Sequence, residues 1–260
     1  MKYATDYTIG ELVVTTAARE IKNGYVVIVG IGYPLFACLL AKYTHAPRST
    51  LVLETGAIDF MPKEPGMDVA DPRMWYRSTF FTSLTVTLGG ILHRGLADLG
   101  MIGGAQVDKY GNVNSTVIGP YEKPIKRLPG SGGANDIASL TKRFIIIMPH
   151  EKRRFVDHVD YITSPGYLDG FDSRERAGLS GFGPSKVITG KAVFGFDEKT
   201  KQLKIESVHP GFTLDDVISN TGIDLIVPEK VPTTEPPTVD QLKILREKVD
   251  PHGYLSRKFA

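Results

Sequence analysis

Apolar residues recur at helical spacing over residues 8–22, where Leu12, Val13, Ala17, Ala18 and Ile21 predict a helix. Asn23-Gly24 ends it. The next run, "YVVIVG" (25–30), is continuous and β-branched, as in a strand covered on both faces. A glycine-containing turn, "GIGYP" (30–34), leads into a second helical run, "LFACLLAKY" (35–43), and "TLVLE" (50–54) reads as a second strand. Strand, helix and strand in this length predict a parallel crossover unit. Further on, "LTVTLGG" (84–90) predicts a third strand, "ILHRGLA" (91–97) a short helix, and "LGMIGGAQVD" (99–108) another strand-like run. "DKYGNVNSTVIG" (108–119) places a turn before a short strand, 119–135 is a long loop, and "RFIIIMP" (143–149) is a buried strand.

After about residue 185 the pattern changes. "KVITGKAVFGFDEKTKQLKIESVHP" predicts an antiparallel meander turning at Asp197–Lys201. "TLDDVISNTG" (213–222) has an N-cap threonine and acids in its first turn, so it is a short helix ending at Gly222. The expected fold is therefore α/β, an open and mostly parallel sheet flanked by helices, with a small antiparallel meander near the C-terminus. Residues 1–260 are read as one domain. Its last part, 227–260, is a proline-rich connector followed by a helix over 239–249.

Composition narrows the function classes. The net charge is +2 with acids and bases interspersed, and no basic tract argues for nucleic acid. The single Cys38 excludes a disulfide framework and any multi-cysteine metal site, and it suits a reducing, cytoplasmic setting. The start, "MKYATDYTIGELVV", is polar and acidic, unlike a secretion leader, and no apolar run approaches the ~18 residues of a membrane span. The six histidines show no metal-ligand spacing, so no metal is expected.

Four stretches carry candidate chemistry. In "LVLETGAIDF" (51–60) an apolar strand runs into Glu54 and then a Thr55-Gly56 turn. An exposed strand-terminal acid is the ordinary explanation. A catalytic carboxylate is the sharper one, because open α/β sheets keep their sites beyond the carboxyl ends of parallel strands. In "GSGGAN" (Gly130, Ser131, Gly132, Gly133, Ala134, Asn135) three glycines offer a backbone open to close approach. A helix started by Asn135 or Ser139 would aim its N–H groups at an anion, and a flexible linker is the plain alternative. "GIGYP" lacks the third glycine of a dinucleotide fingerprint, which favours tight strand-to-helix packing. "IGGAQVDKYGNVNS" (102–115) sets the Gln106 amide near a strand end, or is a structural turn in which Asp108 and Asn112 bond their own backbone. The four consecutive charges of "HEKRRF" (150–155) read as a solvated helix face.

Taken together, these segments resemble the B subunits of family I CoA-transferases, those of the glutaconate type in particular. The resemblance runs nearly end to end. It is carried by "IKNGYVVIVGIGYPL" (21–35), "LVLETGAIDF", "IGGAQVDKYGNVNSTVIG" (102–119), "GSGGAND" (130–136), "MPHEKRRFVDHVDYITSPGYLDG" (148–170) and "RERAGL" (174–179). It implies the open α/β fold shared with sugar-phosphate isomerases. It also implies that Glu54 is the covalent nucleophile, that Gly130 to Asn135 line the acyl-CoA carbonyl as oxyanion donors, and that Gln106 lies near the same oxygen. Coenzyme A and acyl-CoA would be substrates, with no tightly bound cofactor. An obligate, homologous A subunit would complete an AB or A2B2 assembly, and the chain alone should expose an apolar face near the site. A basic partner for a distal substrate carboxylate could be Arg73, Arg77 or Lys123, or come from the A subunit. The competing readings are an acyl-CoA decarboxylase, lyase or hydrolase on the same scaffold, and a sugar-phosphate isomerase-like enzyme or sensor. Glu54 discriminates them, since an isomerase or sensor needs no acylated carboxylate.

Overall fold

A computed structural model of the chain describes residues 2–66 and 68–256. They fall into two compact units, residues 1–101 with 235–260, and residues 102–234.

The first unit opens with helix α1 (Ile9–Ala18). Thr8 and Glu11 close a capping box, each side chain accepting the other's backbone N–H. Strand β1 (Val26–Val29), helix α2 (Tyr33–Tyr43) and strand β2 (Thr50–Val52) follow. β1 pairs in parallel with β2, Val27 opposite Leu51. This is the crossover unit expected from the apolar runs. Gly30 is required by packing against the neighbouring strand: a Cβ there would lie 2.5 Å from the Met101 carbonyl oxygen, while the first helical turn at Pro34 lies at ordinary contact, 3.5 Å. β2 turns back as β3 (Ala57–Ile58), which pairs with β4 (Phe80–Phe81), both antiparallel. β5 (Leu99–Ile102) lies parallel to the other side of β1, so the strands run β5-β1-β2-β3-β4. The core is built from α1, α2 and the strands, with Leu12, Val13, Leu35, Leu40, Ile28 and Leu51 fully buried.

The third strand expected over 84–90 does not form. Thr85–Leu92 is a wide, π-type helical stretch instead, and His93–Gly95 is a turn rather than part of a separate helix. The β-branched Thr85, Val86 and Thr87 imitate a strand, but Gly89-Gly90 supply no cross-strand side chains. Ser83 starts the helical turn by accepting the N–H groups of Val86 and Thr87.

The second unit begins with β6 (Gln106–Asp108), β7 (Val113–Asn114), β8 (Val117–Ile118) and β9 (Lys126–Arg127). Helix α3 (Ala134–Leu140), β10 (Arg143–Ile147), β11 (Phe155–Val156) and the single turn α4 (Ser173–Arg176) come next. The long loop of 119–135 thus contains one short strand, β9, hydrogen-bonded to β8. β12 (Pro184–Ile188), β13 (Ala192–Phe196) and β14 (Leu203–Val208) form the expected meander, and β12 also pairs in parallel with β10. Asp197 fixes the meander's turn by accepting the N–H groups of Lys199 and Thr200. α5 (Leu214–Ser219) carries the Thr213 cap. The chain then returns to the first unit in α6 (Val239–Ile244), which continues as wide turns over Leu245–Val249.

The "HEKRRF" stretch is solvated only in its middle. His150 and Phe155 are buried, and the charges between them ride a short 3-10 turn. His150 bonds Thr189 and Thr221 through its two ring nitrogens, and the buried His209 bonds Thr234 and the Thr189 carbonyl. Burial pushes both imidazoles down to about 4. A depressed histidine is neutral in the fold and binds its proton only on unfolding, so stability is complete above the ordinary pKa of 6.5 and declines as pH falls toward 4. The expected loss is about 3 kcal/mol per histidine across that window. Urea unfolding of the isolated chain at pH 7.5, 6, 5 and 4 checks it. Replacing His209 with glutamine should remove about half of the slope, and an unchanged slope would exclude His209 as a source of it.

Candidate active site

Glu54 stands where the first unit's parallel strands end. Leu53 is buried and Glu54 half-buried, and the chain reverses at once: the Gly56 N–H donates to the Leu53 carbonyl (3.0 Å) and the Leu53 N–H to the Ala57 carbonyl (2.9 Å). Glu54 and Thr55 are therefore the two central residues of a hydrogen-bonded turn between β2 and β3. Three contacts hold that turn. The Thr82 N–H donates to the Gly56 carbonyl at 2.9 Å, from the end of β4. The Thr55 hydroxyl donates to the Val69 carbonyl at 2.9 Å. The fully buried Thr87 hydroxyl donates to the Glu54 carbonyl at 2.5 Å. At the hairpin's other end, Lys42 of α2 binds Asp59 at 2.6 Å, and the Asp59 N–H donates to the Leu51 carbonyl. The carboxylate is thus carried on a backbone clamped from several sides.

Thr87 was not legible as a site residue, because its stretch imitates a strand. It acts on Glu54 through the backbone. Thr87→Val keeps the shape and removes the donor, so it should cost about 1 kcal/mol of stability. It should also lower turnover by about three- to tenfold, with KM for acyl-CoA unchanged. Steady-state kinetics with chemical denaturation test this, and unchanged turnover would remove Thr87 from the account.

The glycine-rich segment lies in the second unit and leads into α3, whose N-cap is Gly133 rather than Asn135 or Ser139. Gly130 and Gly132 have positive φ (99° and 49°). Ser115 brackets the entry: its carbonyl accepts the Gly130 N–H and its hydroxyl donates to the Gly130 carbonyl, both at 2.8 Å. Ser131 brackets the exit, accepting the Ala134 N–H on its carbonyl (3.0 Å) and the Asn135 N–H on its hydroxyl (3.1 Å). The amide of Gly130 is therefore engaged by Ser115, and those of Ala134 and Asn135 by Ser131. That directs any role as anion donor to its centre, Ser131 and the exposed Gly132.

Gln106 is buried at the start of β6, in the same unit. Its Nε2 donates to Asp160 (3.0 Å), and its Oε1 accepts from the Asn114 amide (2.7 Å) and the Asp160 N–H (3.3 Å). Asp160 also accepts the Gly119 N–H at 3.0 Å. Most of the Gln106 polar capacity is spent on tying β6, β7 and the 160 segment together. Asp108 and Asn112 behave as the structural-turn reading expects: the Asp108 carboxylate accepts the Tyr110 and Asn112 N–H groups and the Asn112 amide. Burial raises the Asp108 pKa against those bonds.

Of the basic candidates, Arg73 is held by Asp71 (2.6 Å) and Glu64 (3.3 Å), and these acids raise its pKa. Arg77 and Lys123 are exposed. Trp75, Tyr76, Phe80, Phe81, Leu84 and Val86 are each 44–56% exposed. Trp75 and Phe81 meet edge to face, 6.3 Å between ring centroids. The strand and turn that clamp Gly56 thus carry exposed apolar side chains, the kind of surface that marks protein contact. Among the described residues no three His, Cys, Asp or Glu side chains gather as a metal requires. No described helix is long and apolar enough to cross a membrane.

The α/β scaffold that carries Glu54 and the glycine-rich loop is shared with known proteins of similar sequence. The chain belongs to the coenzyme A transferase family, whose pattern matches residues 11–220. It is 43% identical over 255 residues to the B subunit of glutaconate CoA-transferase from Acidaminococcus fermentans, covering 95% of this chain and 94% of that one. It is 39% identical over 245 residues to the B subunit of 3-oxoadipate CoA-transferase from Pseudomonas knackmussii, covering 92% of each. The crystal structure of glutaconate coenzyme A-transferase from Acidaminococcus fermentans superposes with a TM-score of 0.91 at 42% identity, over 99% of this chain and 100% of that one. The α/β architecture expected from the apolar runs is the architecture of that enzyme, and this chain is one subunit of a CoA-transferase.

Proposed function

We propose that the chain is the glutamate-bearing subunit of an enzyme that moves CoA from an acyl-CoA to a dicarboxylate, with Glu54 as covalent nucleophile. The observation that carries the reading is the clamped Glu54-Thr55-Gly56 turn at the end of a parallel strand. A Glu54 carboxylate oxygen attacks the thioester carbonyl, the C–S bond breaks, and CoA thiolate leaves a mixed anhydride. The thiolate then attacks the Glu54 carbonyl and releases the first acid, leaving an enzyme–CoA thioester. A second carboxylate attacks that thioester, and the two steps run in reverse. The centre of the 130–135 loop is assigned to the oxyanion, a role worth about 10²–10³ in rate per donor. Water must be excluded, since it would hydrolyse the anhydride.

A homologous A subunit is the assigned occupant of the apolar band from Trp75 to Val86, completing an AB or A2B2 enzyme. CoA enters as substrate, and no tightly bound cofactor is required. The lone, buried Cys38 suits a cytoplasmic setting. Glutaconate, 3-oxoadipate and similar diacids are the expected acceptors, as the names of the two similar enzymes suggest. The test is the purified pair with acyl-CoA and a dicarboxylate panel. CoA should move to a diacid. Hydrolysis or decarboxylation alone, or full activity of the chain without its partner, would overturn the reading.

A further inference from the structure

Arg174 opens the "RERAGL" stretch and is only 4% exposed. Among the described residues its guanidinium donates solely to backbone carbonyls. One nitrogen reaches Pro165 (3.1 Å) and Gly166 (2.9 Å), and the other reaches Ala138 and Ser180, both at 2.7 Å. No carboxylate among the described residues pairs with it, and its Nε has no hydrogen-bond partner among them. Burying an unpaired cation costs several kcal/mol. Here that cation joins three chain segments that share no ladder. A guanidinium can do this because its donors are spread over a rigid plane, whereas an ammonium presents them at one point.

The Ala138 carbonyl belongs to the last turn of α3, where orphan carbonyls carry the negative end of the helix dipole. The same end is gripped again: the Ser180 hydroxyl donates to the Ser139 carbonyl (2.9 Å) and the Phe182 N–H to the Lys142 carbonyl (2.6 Å). α3 spans only seven residues, about two turns, so its two ends lie close together. Its other end is the glycine-rich loop, fastened to it by Ser131. We infer that Arg174 is a positioning residue, which fixes the place of Ser131 to Gly133 by anchoring the far end of α3. It touches no reacting group, and the inference rests on the oxyanion role proposed for that loop.

The test uses the enzyme assembled with its A subunit, carrying Arg174→Met or Arg174→Lys, well below each variant's unfolding temperature. Turnover of Arg174→Met should fall roughly 10–100-fold, the loss a displacement of about 1 Å produces. KM for acyl-CoA should stay near the wild-type value. Amide exchange over residues 130–135 should accelerate about tenfold or more, and lysine should restore part of both. Should Arg174→Met fail to fold, Ser180→Ala removes a single grip on α3 and must still speed exchange in that loop. Unchanged loop exchange in a folded variant would overturn the positioning role and leave the loop's own role standing. Faster exchange with unchanged turnover would instead overturn the oxyanion role of the loop, and with it the link from Arg174 to catalysis.

Discussion

Glu54→Gln is expected to lower CoA transfer by at least about 10⁴-fold, because a carboxamide cannot open the thioester and no later step can begin. The effect should fall on turnover. KM for acyl-CoA should change little, since most of its binding energy lies in the distant nucleotide and pantetheine. Unfolding by urea should match the wild type, because the substitution keeps size and shape at a half-buried turn. Any activity that returns on standing should do so with a lag, as glutamine deamidates to glutamate. Immediate, substantial activity in the variant would mean that Glu54 is not the nucleophile.

Gly56→Ala should be the most damaging single-methyl change to the site. Gly56 sits at φ +111°, where an L side chain is strained, and a Cβ would fall 1.9 Å from the Thr82 carbonyl oxygen. That neighbour is backbone and cannot rotate away, so β4 or the Glu54 turn must move. Strain and overlap together should cost about 3 kcal/mol. A shift of the turn by about 1 Å would cost a further 10²-fold in turnover. Gly24→Ala is the control: its φ is +89°, but nothing lies within 4 Å of the added atom. It should lose about 1 kcal/mol from strain alone and keep full activity. Equal behaviour of the two variants would show that the approach of Thr82 is unimportant.

The strand, helix and strand of 25–54 were legible because long apolar runs bounded by Asn-Gly and Gly-Tyr-Pro allow few alternatives. The meander was legible from its alternation and the Asp197 turn. The stretch 84–92 misled because local β-propensity says nothing of the Ser83 carbonyl and the Glu54 carbonyl that its backbone and Thr87 actually meet. Glu54 itself was a candidate with two readings from local pattern, and the chain-wide resemblance favoured the catalytic one. Why Gly56 must be glycine depends on Thr82, a residue distant in sequence. Arg174 drew no assignment of its own from the sequence, since its carbonyl partners come from three separated segments.

The central claim is that CoA becomes covalently joined to Glu54. The assembled enzyme should be mixed with acyl-CoA, reduced with borohydride and digested, and the peptide containing Glu54 examined by mass spectrometry. The account predicts that this side chain is recovered as a primary alcohol, in proportion to the activity lost, and only when acyl-CoA was present. An unmodified Glu54 in enzyme inactivated by borohydride with acyl-CoA, or reduction at another residue, would contradict it.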